Sequence, residues 1–111
     1  MGNFVIKKST NGEFCFNLLA DNSQIILTSQ MYSSKSSCFT GIDEVRNSCT
    51  YDSYEQKQTP DDKHCFVLKA SDGQTIGTSE MYSSKAAMEK GIESVKEHGI
   101  NTKVVEEEPY F

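Results

Sequence analysis

The sequence predicts an α+β protein in which two tandem βββα(β) units share one antiparallel sheet, with two helices packed on one face of that sheet. Two observations carry this prediction. At an offset of 50 residues the chain aligns with itself without a gap: Cys15-Phe16-x-Leu18-x-Ala20 matches Cys65-Phe66-x-Leu68-x-Ala70, and Thr28-Ser29-x-Met31-Tyr32-Ser33-Ser34-Lys35 matches Thr78-Ser79-x-Met81-Tyr82-Ser83-Ser84-Lys85. Such self-similarity is the signature of a duplicated structural unit. Within each copy, moreover, the apolar spacing changes from two residues to three and four, which marks strands followed by a helix.

In the first copy, Phe4 to Lys8 reads as a short strand, joined through Thr10-Asn11-Gly12 to a second strand in which Phe14, Phe16, Leu18 and Ala20 alternate with other residues. Asp21-Asn22-Ser23 is turn chemistry, because Asn and Asp tolerate the positive φ of a tight hairpin, and Gln24 to Thr28 returns as the third strand. Cys38, Ile42 and Val45 then share one face of a helix from Ser34 to Asn47, with Ser33 or Ser34 as its cap. The second copy repeats this order: strands Tyr54 to Gln58, His64 to Ala70 and Gln74 to Thr78, with turns at Pro60-Asp61-Asp62 and Ser71-Asp72-Gly73. Its helix, Ser84 to Glu97, buries Met88, Ile92 and Val95 and ends at Gly99 in the manner of a glycine C-cap. Gly41 and Gly91 recur inside the helices, where glycine costs about 1 kcal/mol relative to alanine, so a close approach to the sheet is expected there. Thr102 to Glu106 reads as a final strand.

A three-strand meander with one helix leaves apolar sheet face uncovered and edges exposed, so one unit is marginal alone. The expectation is therefore a single domain over residues 1–111, made of repeat one (1–50) and repeat two (51–111) related by a pseudo-two-fold axis. A length of 111 residues suits one such domain.

The blocks Phe66 to Lys85 and Gly91-Ile92-Glu93-Ser94-Val95-Lys96 resemble the YegP-like family of small, mostly bacterial proteins of unknown function. The resemblance spans nearly the whole chain in both copies. It implies a tandem βββαβ arrangement with the strand after each helix exchanged between halves, which gives Thr102 to Glu106 its place. It brings no activity, and a fold alone supplies none.

Charge and composition narrow the function classes. A net charge of −5 offers no basic face for phosphates, so nucleic acid is not an expected partner. The acidic surplus lies wholly in the second half, and Asp61-Asp62 and Glu106-Glu107-Glu108 read as a solvated turn and tail. The amino terminus has no basic start followed by a long apolar stretch, so a cytoplasmic protein without a membrane span is expected. Cys15, Cys38, Cys49 and Cys65 show no C-x-x-C pair, which argues against zinc, and no cofactor signature is present. Cys15 and Cys65 recur at one strand position and could form a thiol pair across the pseudo-axis.

The candidate binding site is the duplicated helix-start loop, with Tyr32, Ser33, Ser34 and Lys35 in one copy and Tyr82, Ser83, Ser84 and Lys85 in the other. Serine hydroxyls, free N–H groups and a lysine at a helix amino terminus can hold an anion. The same residues also suit a purely structural role: a cap, a plug at the joint of sheet and helix, and a surface lysine. No catalytic residue stands out, since His64 and His98 are unmatched between copies and the repeats share almost no carboxylate. The reading favours a monomeric, non-enzymatic interaction module that binds a protein or small-molecule partner. The alternative is a small-molecule anion binder or minor enzyme acting through the duplicated loops.

Overall fold

The structure is a computed structural model that describes residues 2–50, 53–100 and 103–106. The elements run β1 (Asn3–Lys8), β2 (Phe14–Leu19), β3 (Ile25–Ser29), α1 (Lys35–Ser48), β4 (Tyr54–Gln58), β5 (His64–Lys69), β6 (Thr75–Thr78), α2 (Lys85–His98) and β7 (Lys103–Glu106). The expected elements are all present, with ends moved by a residue or so. The expected strand start at Thr102 and the acidic tail residues Glu107 and Glu108 lie outside the described residues.

The seven strands form one sheet in the order β4-β5-β6-β3-β2-β1-β7. Its centre is the antiparallel β3·β6 pair, where Thr28 faces Thr78, its own equivalent, so the pseudo-two-fold axis passes through that pair. Each copy contributes a meander, β1-β2-β3 or β4-β5-β6, with a register shift at the same place, Leu18/Leu19 and Leu68/Lys69. The sheet is antiparallel at every junction except one. β7 follows α2, crosses to the first repeat and pairs with β1 in parallel, Phe4 beside Val104 and Ile6 beside Glu106. The sheet is therefore mixed, because β1 already fills the antiparallel place beside β2 and leaves β7 only its outer edge. β4, the strand that follows α1, sits in the second repeat, so the strands after the two helices are indeed exchanged.

Both helices cover the face that carries Phe4, Phe16, Leu18, Leu27, Phe66 and Leu68, all fully buried. Cys38, Ile42 and Val45 of α1 and Met88, Ile92 and Val95 of α2 close onto these side chains in one continuous core. Each buried Leu or Phe contributes roughly 1.5–3 kcal/mol, and the two repeats stabilise each other by sharing that core. Ser34 and Ser84 are the caps: their hydroxyls accept from the N–H of Ser37 and Ala87, each at 3.1 Å. Gly99 does end α2, but in right-handed backbone (φ −75°) rather than the left-handed cap expected. A Cβ there would lie 2.8 Å from Cys49 Sγ, so the glycine is required by the packing of the two helix ends against each other.

Candidate functional site

The duplicated loops are built alike and their polar groups are largely committed. Ser29 and Ser79 are buried at the ends of their ladders. Each hydroxyl accepts from the backbone N–H of Phe16 or Phe66 (2.8 and 2.9 Å) and donates to the next carbonyl, Gln30 or Glu80. Tyr32 and Tyr82 exchange backbone hydrogen bonds with Phe14 and His64. Their rings stack on Phe16 and Phe66 at 6.3 and 6.5 Å and slide beneath Gly41 and Gly91. Burial raises the pKa of both phenols above the usual tyrosine value. Ser33 and Ser83 precede the caps, and Ser34 and Ser84 are the caps themselves.

The two lysines differ. Lys35 Nζ lies 2.7 Å from Glu106 Oε1 of β7, so Glu106 belongs to an ion pair rather than to a solvated tail. Lys85, its equivalent, forms no ion pair among the described residues; it lines a small recess with Gln56, Gln58, His64 and Met88.

The thiols are not brought together. β3 and β6 lie between β2 and β5, so Cys15 and Cys65 are about three strand spacings, roughly 14 Å, apart, and the thiol pair across the axis is ruled out. Burial pushes Cys38 up to about 11 and also raises Cys49, the reverse of what a reactive thiol needs. His98 Nδ1 meets the Ser94 carbonyl at 2.8 Å, and Nε2 faces Asp21 at 3.3 Å; this contact holds the Asp21 carboxyl below its ordinary value.

The feature that sequence reasoning missed is a groove of about 670 Å³ between α2 and the sheet edge, walled by Tyr54 and Gln56 of β4 and by Ala86, Glu89, Lys90, Ile92, Glu93 and Lys96 of α2. Neither duplicated loop lines it. Tyr54 is held there by its hydroxyl, which donates to the Cys49 carbonyl at 2.7 Å, and by Lys96 Nζ, 5.9 Å from its ring centre. The edge beside it is open for a definite reason. Phe66 turns both its N–H and its C=O toward Ser79, just past the end of β6 (2.9 Å each). Gln56, opposite Phe66, therefore sits in a non-hydrogen-bonded pair and points its own N–H and C=O away from β5, as Tyr54 and Gln58 do two residues to either side. In the first repeat the same alternation turns Phe4 and Ile6 toward β7, and those two side chains are fully buried.

The model of the family described as a domain of unknown function, DUF1508, matches residues 9–55 and 60–106. The chain belongs to the DUF1508 family. Each matched segment runs from a β-hairpin, β2-β3 or β5-β6, through a helix into the strand behind it, reaching the first two residues of β4 in one copy and the whole of β7 in the other. A UPF0339 protein in the ptx operon 5′ region of Stutzerimonas stutzeri is 46% identical over 106 residues, covering 95% of this chain and 96% of its own. The UPF0339 protein YegP of Yersinia pestis is 47% identical over 58 residues, 51% of this chain and 52% of that protein, so the match there spans about half of the relative. Among solved structures, the solution structure of E. coli yegP, a protein of unknown function, superposes with a TM-score of 0.89 at 40% identity, covering 95% of this chain and 91% of that one. The DUF1508 fold is thus shared, and no activity comes with it.

Proposed function

We propose that this protein is a non-enzymatic interaction module that engages a partner protein along the outer edge of β4 and the groove beneath it. The observation that supports this reading is the asymmetry between repeats: one sheet edge is completed by β7, while the equivalent edge of the other repeat keeps its outward N–H and C=O groups and a groove beside α2. Unpaired strand edges recruit further strands. The module acts as a cytoplasmic monomer, one domain over residues 1–111, and its acidic charge disfavours nucleic acid. No helix is long and apolar enough to cross a membrane. Of the loop residues Tyr32, Ser33, Ser34, Lys35, Tyr82, Ser83, Ser84 and Lys85, only Lys85 enters this reading, from the small recess that adjoins the groove at Gln56. Nothing favours anion binding by the loops or an enzymatic role.

Gln56→Pro tests the proposal. The substitution removes an outward N–H, which a proline on an edge strand can forgo, and leaves the β4·β5 ladder intact. Immobilised wild type should retain proteins from cell extract that the Gln56→Pro variant does not. Identical retention by both would contradict the reading. So would thermal stabilisation by a small anion that is lost in the Lys35→Ala/Lys85→Ala double variant.

A further inference from the structure

Resting on that reading, we infer that the partner presents an extended segment that pairs with β4 in parallel, with an apolar residue beside Tyr54 and a carboxylate two residues later on Lys85. The chain itself supplies the template. β1, β4 and β7 begin at equivalent positions of the 50-residue repeat, so Phe4, Tyr54 and Val104 correspond. In the first repeat the β1 edge is occupied: Val104 packs against the core beside Phe4, and Glu106, beside Ile6, reaches Lys35 at 2.7 Å.

Rotation about the pseudo-axis carries Phe4 to Tyr54, Ile6 to Gln56 and Lys35 to Lys85. Every acceptor of β7 therefore has a counterpart around the second groove, and among the described residues only the strand is missing. Ile92, the counterpart of the buried Ile42, lines the groove and supplies an apolar wall for the residue in the Val104 position. Lys85 and Gln56 line the small recess adjoining the groove, where the carboxylate would arrive. The direction is taken from the template: β7 runs parallel to β1, with its apolar residue beside Phe4 and its carboxylate two residues later at the lysine of the helix start, and a segment with that same order of features fits β4 in the same direction. Main-chain hydrogen bonds to Gln56 would supply affinity, and the apolar and acidic positions would supply selectivity.

The probe is a synthetic peptide of residues 101–108, which contains the β7 sequence, titrated at millimolar concentration into isotope-labelled full-length protein and followed by NMR. Saturable shifts are expected at the amides of Tyr54, Gln56 and Gln58 and at Lys85, absent with the Gln56→Pro variant. A peptide carrying Glu106→Lys should bind about two- to five-fold more weakly, the range expected of a partly exposed ion pair, and should recover on the Lys85→Glu variant. Three results would overturn the inference: no shifts on β4; shifts confined to β1, meaning exchange with the resident β7; or concentration-dependent dimerisation of the free protein that Gln56→Pro abolishes, meaning that a second copy takes the edge. If Gln56→Pro still loses captured proteins while the peptide leaves β4 unshifted, the interaction module stands and this description of its partner falls.

Discussion

Gly91 shows how single residues set the joint between helix and sheet. A Cβ there would lie 2.5 Å from the Tyr82 hydroxyl oxygen, 2.8 Å from its ring and 3.2 Å from Phe66. Alanine would gain about 1 kcal/mol of helix propensity but would wedge into a stack that cannot retreat. Gly91→Ala should therefore destabilise by about 1–2 kcal/mol in denaturant unfolding, and by less in a Tyr82→Phe background, where the nearest obstacle is gone. A stabilised single variant would show that the stack yields. Cys38 makes a prediction in pH. Its thiol is raised to about 11 by burial, then by the neighbouring Cys15 charge. A raised folded-state pKa means that stability is complete below the unfolded value, near 9, and is lost as pH climbs from there to about 11. The loss should approach roughly 3 kcal/mol in equilibrium unfolding once the folded-state thiol ionises, and Cys38→Ala should flatten the slope. An unchanged slope in that variant would assign the alkaline loss elsewhere.

Elements are where reading from sequence stopped. The meanders and helices were legible because their apolar periods, two and then three to four, are local and occur twice. The family resemblance placed β7 in the opposite repeat, but its parallel pairing with β1 was not legible, because Lys-Val-Val-Glu carries no signal of direction and β1 lies a hundred residues earlier. The groove was invisible for a related reason: it exists where β4 has no outer strand among the described residues, and nothing in Tyr54 to Gln58 announces an absence. The Tyr-Ser-Ser-Lys block was legible as a motif, yet its repetition reflects stacking under a glycine and capping of a helix, both of which a duplicated fold needs twice. β7 itself can be tested. Val104→Asp places a charge beside buried Phe4 and should cost about 2 kcal/mol, seen as a lowered unfolding midpoint, with the native fold retained. No change in midpoint would mean that β7 adds little to the first repeat.

Across the whole molecule, the pseudo-two-fold axis yields a closed core and two unequal edges. Strands in the middle of the sheet gain partners on both sides, and the interleaved helices bind the repeats into one hydrophobic interior. Seven strands cannot obey a two-fold axis, so one repeat is completed and the other is not. That imbalance is the physical basis for the functional reading, and amide hydrogen exchange of the free monomer tests it most directly. The account predicts slow exchange at Phe4 and Ile6, whose N–H groups face β7, and fast exchange at Tyr54, Gln56 and Gln58, whose N–H groups face solvent, while Glu55 and Lys57 stay protected by β5. Protection of Gln56 equal to that of Ile6 in a protein shown to be monomeric would mean that the edge is already covered, and would contradict the account.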